Sequence, residues 1–423
     1  MSPSTSNGVS HDIPPLEAPP LRIPPSTSTI RVQVIDTTTN LHCDAAAFIR
    51  PIIPGHEKLN LPTMCFLLEN KAQNKFILFD GGARKDFWNG PPKTKLMIGG
   101  HTEGVKIEKG VDEVLVDSGF DLAKLAFGGK IILTLNEQDA IVWSHWHWDH
   151  TGDASKFHPH TDVVVGPGFT EEGYGKGYPK NPEGVLLESD LAGRNLNEIS
   201  FSDDFKIGNF RAHDFFGDGS FYLLDTPGHA TGHMCGLART TPSTFALLGG
   251  DCCHFVGVFR PTAYIPLPGT VPASNLDSSL PNPCPCSIFT QYHPLHNKDD
   301  SLDTVARTTP FYKISREKEN VYSFPELAEK SIDSLQPFDA DPNVIICMAH
   351  DGELFRALPL LNRDPGSDIN DWKVKGYKEH THWGFLNELP RDGKPGREPL
   401  VQGVNRDGKK LKLGPDLVFR DAE

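Results

Sequence analysis

The sequence predicts a mixed α/β fold, on two observations. Short apolar runs of strand length recur along the chain, and helical patterns intervene between them. The first run, Ile30-Arg-Val-Gln-Val-Ile35, alternates as a half-buried strand does. It is followed by Cys65-Phe-Leu-Leu68, Phe76-Ile-Leu-Phe79, Ala140-Ile-Val-Trp143, Asp162-Val-Val-Val165, Phe221-Tyr-Leu-Leu224, Phe245-Ala-Leu-Leu248 and Val344-Ile-Ile-Cys-Met348. Their length and their β-branched or aromatic content favour buried strands over helices. Val111 to Leu125 reads as a helix. A second helix opens at Ser323-Phe-Pro-Glu326, with capping-box spacing and an early proline, and runs to about Leu335. No fixed-period repeat is visible.

At 423 residues the chain exceeds the usual size of a single core, so one large domain with extensions, or two domains, is expected. Residues 1–28 are rich in proline and serine with few large apolar side chains, and are expected to form a disordered tail. Residues 29–358 form the predicted catalytic domain. Within it, 255–320 carries few regular patterns and reads as a lid or substrate-loop insertion. Residues 359–423 are polar and rich in Gly, Pro and Lys, with one apolar piece at Trp383-Gly-Phe-Leu386, and read as a C-terminal extension packed on the domain.

Lys+Arg 41 against Asp+Glu 55 gives a net charge of −14. That balance, with no local basic patch, argues against nucleic acid and against an anionic membrane surface as partners. No run has signal-peptide or bilayer-spanning length, so a cytoplasmic protein is expected, with monomer and homodimer both left open. The eight cysteines form no disulfide framework and read as reduced thiols. Cys284-Pro-Cys286 lacks the second cysteine pair that a thiolate zinc site needs.

Five of the predicted strands run directly into a potential metal ligand. Phe76–Phe79 leads to Asp80. Ala140–Trp143 leads to His145, His147, Asp149 and His150 within SHWHWDHTGD. Phe221–Leu224 leads to His229, Phe245–Leu248 to Asp251, and Val344–Met348 to His350. Binding groups at the ends of several strands of one sheet converge on a common edge. In H-x-H on extended backbone, His145 and His147 point the same way and can grip one ion. Asp149 and His150, after the turn, can reach a second, and a carboxylate such as Asp251 can bridge two ions roughly 3.5–4 Å apart. The remaining polar residues have plainer readings. His233 reads as a strand-start histidine bonded to backbone, His293 and His296 as solvated loop histidines, Arg260 as half of a structural ion pair, and Cys252 and Cys253 as small buried residues.

His145-x-His147-x-Asp149-His150, with Asp80, Thr226-Pro-Gly-His229-x-x-Gly-His233, Gly250-Asp251 and Ala349-His350-Asp351, resembles the metallo-β-lactamase fold superfamily over residues 30–355. Within it the likeness is to the lactonase-like branch and to fungal members that include γ-lactamases, as in Phe259-Arg-Pro-Thr-Ala-Tyr-Ile-Pro-Leu-Pro268. The resemblance implies a four-layer αβ/βα sandwich with a dinuclear site at one edge. It implies His145, His147 and His229 as ligands of a first zinc, Asp149, His150 and His350 as ligands of a second, and Asp251 as the bridge. Asp80 orients a ligand in this reading, and iron or manganese are alternatives to the two zinc ions. In the homoserine-lactone enzymes a tyrosine stands three residues after the bridging aspartate. Here that position is His254, which weighs against a homoserine-lactone substrate and implies an imidazole donor or acid in place of the phenol. The implied activity is opening of a cyclic ester or amide by a metal-bridging hydroxide, with Asp149 or His254 passing the proton and Trp148 and Phe259 contacting substrate. A thioesterase of the glyoxalase II kind and an iron-dependent persulfide oxidoreductase are alternatives on the same fold.

Overall fold

The computed structural model describes residues 12–122, 133–134 and 140–422. Two large sheets face one another. The first has ten strands in the order Leu196–Glu198, Asp162–Val165, Ala140–Val142, Lys75–Phe79, Lys58–Asn70, Arg31–Asp44, Thr102–Ile107, Gly403–Arg406, Lys409–Leu413 and Phe419–Asp421. The second has six, in the order Lys206–Ile207, Phe210–Asp214, Phe221–Asp225, Met234–Thr241, Thr244–Leu248 and Val344–Cys347.

The alternation of side chains along single strands shows why the sheets stack. In Lys75–Phe79, Ile77 and Phe79 enter the core between the sheets while Phe76 and Leu78 enter an outer core. Successive strand residues face opposite sides, so a strand that is apolar at every position must be covered twice. Phe221–Asp225 does the same on the second sheet: Phe221 and Leu223 face the first sheet, and Tyr222 and Leu224 face outward. Helix Val111–Asp117 covers the outer face of the first sheet through Val114 and Leu115. Helix Pro325–Ala340 covers the second through Ile332, Leu335 and Phe338. The result is the predicted four-layer αβ/βα sandwich.

Several elements differ from expectation. The first helix stops at Asp117, where Gly119 turns with φ +94° into the short strand Phe120–Asp121; residues 123–125 of the predicted helix lie outside the described residues. The second helix starts at Pro325 with Phe324 as N-cap and no side-chain cap, and it runs through Pro337 to Ala340. Ser323 does not cap it, because its backbone N–H donates to the His229 carbonyl at 2.9 Å.

Residues 12–28, expected as part of a disordered tail, lie extended against the body. Leu21 is buried, Gly208 N–H donates to its carbonyl at 2.7 Å, and the fully buried Arg239 donates through Nη2 to the Pro24 carbonyl at 2.6 Å. A proline-rich segment is already restricted when unfolded, so little entropy is lost when it is pinned. His293 and His296, expected as solvated, brace the loop instead. His293 bonds the carbonyls of Thr309 and Pro310, and His296 lies 2.6 Å from Asp303. Arg260 forms the expected ion pair, donating at 3.0 and 2.7 Å to both oxygens of Asp339 in the helix Pro325–Ala340. All eight cysteines are free. No helix among the described residues is long and apolar enough to cross a membrane.

Candidate metal centre

The loops that follow five strands meet at one edge of the sandwich, and each is shaped by its local sequence. Asp80 ends its strand with φ +63°, a left-handed conformation that short polar side chains tolerate. Its N–H donates to the Val142 carbonyl at 2.9 Å, which ties it to the neighbouring strand end. His145 and His147 sit on the extended loop after Ala140–Val142, and the turn of helix Trp148–Thr151 brings Asp149 and His150 round behind them. Gly228 precedes His229 with φ +132°, and a Cβ there would lie 2.0 Å from the backbone nitrogen of Ala328. Only glycine allows His229 to approach at this point.

Two groups of ligand-type atoms result: His145, His147, His229 and Asp251 in one, and Asp149, His150, Asp251 and His350 in the other, each within 4.8 Å. In the first, His229 Nε2 lies 3.1 Å from His145 Nε2 and 2.9 Å from His147 Nδ1. Asp251 Oδ2 is 3.5 Å from His229 Nε2 and 3.7 Å from His145 Nε2. Its other oxygen, Oδ1, faces the second group, 3.1 Å from His150 Nε2 and 3.0 Å from His350 Nε2. Asp149 Oδ2 completes that group, 3.6 Å from His350 Nε2 and 3.8 Å from His150 Nε2. One carboxylate therefore offers an oxygen to each side. These seven residues are the ones the sequence singled out.

The residues around them hold the ligands in place. Asp80 Oδ1 accepts from Ser144 N–H at 2.7 Å, and Oδ2 lies 2.8 Å from Ser144 Oγ and 2.9 Å from His150 Nδ1. That last contact puts the His150 proton on Nδ1 and leaves Nε2 free to ligate. His350 Nδ1 lies 3.3 Å from both Thr63 Oγ1 and the Pro62 carbonyl. His233 Nε2 accepts from the Asp251 N–H at 3.1 Å, while its Nδ1 lies 3.1 Å from the Thr226 carbonyl, so it steadies the bridging aspartate. His254 Nε2 is 3.0 Å from Asp251 Oδ2, and its Nδ1 is 3.1 Å from the hydroxyl of Tyr322.

The cluster suits a pair of metal ions. His150 Nε2, His350 Nε2 and Asp251 Oδ1 are buried and face one another at 3.0–3.1 Å, outside good hydrogen-bond geometry, although buried polar atoms are normally well satisfied. Three imidazole nitrogens converge in the first group, where a shared proton can serve only one contact at a time and a cation serves all of them. Burial holds His145 and His229 well below the usual histidine range and His147 down to about 3, so all three are neutral imidazoles. At His150 and His350, burial is outweighed by Asp251 and Asp149, which raise both; His150 rises well above the usual range.

A cavity of about 310 Å³ opens onto both groups. Leu41, Phe48, Leu61, Met97, Trp148 and Val321 form its apolar walls, and among the described residues no lysine or arginine lines it. Trp148 is at the wall, and so is Trp146. Phe259 is not: it is fully buried in the core with the Arg260 guanidinium 5.0 Å from its ring centroid, because the short 3-10 turn Val256–Val258 directs it inward. Of residues 255–320, only Asn320 lines this cavity. Tyr322, Ser144 and Thr63 were not singled out in the sequence. Tyr322 lies just past the expected lid in an irregular stretch, and hydroxyls next to ligands carry no spacing signal.

Fold and centre together define a metal-dependent hydrolase. A family model described as the metallo-beta-lactamase superfamily matches residues 107–246. The chain is 38% identical to the metallo-hydrolase mfmC of Annulohypoxylon moriforme over 89% of this chain and 91% of that one. It is 37% identical to the gamma-lactamase FDB1 of Fusarium pseudograminearum (strain CS3096), over 88% and 85%. A crystal structure of a B. thuringiensis AiiA variant with N-decanoyl-L-homoserine bound superposes with a TM-score of 0.48 at 19% identity, covering 81% of this chain and all of that one. The chain belongs to the metallo-β-lactamase superfamily.

Proposed function

We propose that the protein is a dizinc hydrolase that opens a small uncharged lactone or γ-lactam. The observation that carries this reading is the division of Asp251 between two ligand groups at the floor of a largely apolar cavity that no lysine or arginine among the described residues lines. The kinship with a gamma-lactamase over most of both chains supports the substrate class. The donor set of five imidazoles and two carboxylates suits zinc, with iron and manganese as alternatives. When bound, such an ion pair supplies an acidified water and a Lewis acid for the carbonyl oxygen.

The chain's own residues do the rest. The apolar walls hold a neutral ring over the centre and exclude bulk water, which strengthens every polar contact inside. Asp149, whose carboxyl reaches the cavity, is placed to take a proton and return it to the leaving oxygen or nitrogen. His254 also lines the cavity, but both of its nitrogens are engaged. With Nε2–H donated to Asp251, its Nδ1 accepts from the Tyr322 hydroxyl, so the pair holds Asp251 in orientation while Tyr322 borders the substrate.

The test is an assay of the purified protein against a panel of lactones and aromatic γ-lactams, before and after chelation, with elemental analysis of the bound metal. Ring opening that is lost on chelation and restored by Zn²⁺ is expected. A metal-loaded protein inert to the whole panel would sink the substrate class, and an iron-only centre would favour the persulfide oxidoreductase.

A further inference from the structure

A second space reaches the metal centre. A chamber of about 20 Å³ shares Leu61, His254 and His350 with the substrate cavity and is otherwise walled by apolar groups such as Phe255, Val256, Met348 and Phe385 and by the carboxylates Asp351, Glu353 and Glu388. That volume admits one water molecule. Next to the chamber lies a cleft of about 70 Å³ that includes His42, Lys58 and Arg397 and is bordered by the exposed residues Glu57, Pro395 and Pro399. Chamber and cleft share two residues, Asn60 and Glu388. The three spaces therefore stand in series, with His254 and His350 in the wall nearest the metal centre and Glu388 in the wall nearest solvent.

Glu388 ends the 3-10 turn Gly384–Glu388 in the C-terminal extension, outside the segment whose motifs resemble the family. The cations near it are engaged elsewhere: Arg356 pairs with Glu353, and Arg397 pairs with Glu353 and Asp277. Burial raises the Glu388 carboxyl to about 7, against the pull of Arg356 and Arg397 and with the help of Glu353 and Asp351. The Glu388 charge is also felt by Tyr312 in the long loop, and His56 borders the cleft. Asn60 is fixed in the same wall, since its Nδ2 donates to the Glu398 carbonyl at 2.9 Å and its Oδ1 accepts from the Leu400 N–H at 2.7 Å.

We propose that Glu388 is the outer station of a proton outlet, running from the metal centre through the chamber to the cleft, separate from the mouth that admits substrate. The outlet rests on the hydrolytic reading above. When a lactone opens, water adds across the ring ester: the acyl carbon gains an OH, the ring C–O bond breaks, and the leaving oxygen takes one proton. The new carboxylic acid then ionises near neutral pH, so each turnover leaves one proton in a pocket whose mouth is filled by product. A carboxylate beyond a single water takes that proton and hands it to the cleft. An aliphatic lactam makes no such demand, because the amine it frees keeps the proton.

Glu388→Gln keeps the shape and removes the exchangeable proton. With metal content and circular dichroism matching the parent, the variant is expected to lose about tenfold in kcat on lactones in dilute buffer, at unchanged KM, and to recover as a small buffer such as imidazole is added. Turnover of aliphatic γ-lactams stays within about twofold. A readout independent of turnover is the ¹³C carboxyl resonance of Glu388 in metal-free protein, assigned by its absence from the variant, which titrates near pH 7. A parent inert to both lactones and γ-lactams overturns the hydrolytic reading, and a parent that opens aliphatic γ-lactams alone overturns the outlet, since it leaves no proton to export. A parent active on lactones whose Glu388→Gln variant keeps its kcat, or whose Glu388 resonance titrates near pH 4, overturns the outlet.

Discussion

Replacing Asp80 by Asn tests how the centre is held together, because this residue touches His150 without belonging to either ligand group. The substitution is isosteric, and asparagine accepts the left-handed backbone at φ +63°, so the strand end is unstrained. The carboxylate receives Ser144 N–H on Oδ1, and Ser144 Oγ and His150 Nδ1 on Oδ2. An amide cannot reproduce this pattern. With its NH₂ at the Oδ1 position it opposes the Ser144 N–H. With its NH₂ at the Oδ2 position it opposes the His150 Nδ1 proton and drives that proton to Nε2, the atom aimed at the second ligand group. Either arrangement loses one hydrogen bond to a charged group, about 1.5–3 kcal/mol. At 1.4 kcal/mol per tenfold, that is a loss of about 10- to 150-fold in affinity for the second ion. An ion at the first group, where His145, His147 and His229 would hold it, is expected to be weakened less. The assay is competition with a chromophoric chelator on parent and variant, resolving the two stoichiometric steps. Two ions bound with parental affinity in Asp80→Asn would refute the assignment of Asp80 as the residue that orients His150.

Two further outcomes follow from the packing. Gly228→Ala places a methyl group 2.0 Å from the Ala328 nitrogen at φ +132°, a strain of about 3 kcal/mol or more. Relief requires moving either His229 or the start of helix Pro325–Ala340, so thermal unfolding is expected several degrees lower, with less than two equivalents of metal retained; an unchanged melting curve and metal content would contradict the close approach. His382 is held down to about 3 by burial first and Arg260 next. Its folded value lies below the unfolded value of about 6.5, so the unfolded chain takes up a proton that the folded chain refuses, and stability is lost as pH falls from about 6.5 towards 3. His382→Gln removes that proton, and between pH 6 and 4 its unfolding free energy, measured in urea, should fall less steeply than the parent's by about 1.4 kcal/mol per pH unit. Equal slopes would show that His382 is not held neutral.

The sequence made the sandwich and the ligand-type residues legible for the same reason. A strand covered on both faces is apolar at every position, so its end is marked by the first polar residue, and here those residues are Asp80, His145, His229, Asp251 and His350 or lie within a few positions of them. Features set by tertiary contact left no such mark. Tyr322 acts through a hydroxyl that meets His254 from 68 positions away. Phe259 resembles a pocket aromatic in its motif, yet a 3-10 turn sends it into the core. Ser323 has capping-box spacing, but its backbone is committed to His229, and Phe324 takes the cap position. The proline-rich segment before residue 29 looks incapable of folding by composition. What orders it is Arg239, a single buried cation that needs carbonyl partners and finds them in Gly219, Pro24 and Pro242.

Chemistry and selectivity therefore rest on different parts of the chain. The ligand-type groups come from the ends of strands whose cores fix them from both sides, and a change there alters metal binding before it alters the choice of substrate. The cavity walls come from elsewhere: Leu41 and Cys43 on the long first strand, Met97 and His101 on the helix Pro92–His101, and Val321 and Tyr322 on the segment before the helix Pro325–Ala340. These walls mix apolar side chains with the polar groups of His101, Thr102, Asn320, Tyr322 and Ser323, and against the apolar part a single methylene discriminates by only about 1–3 kcal/mol. Selectivity among rings of similar size is then expected to be set by the shape of these walls and by their few polar groups.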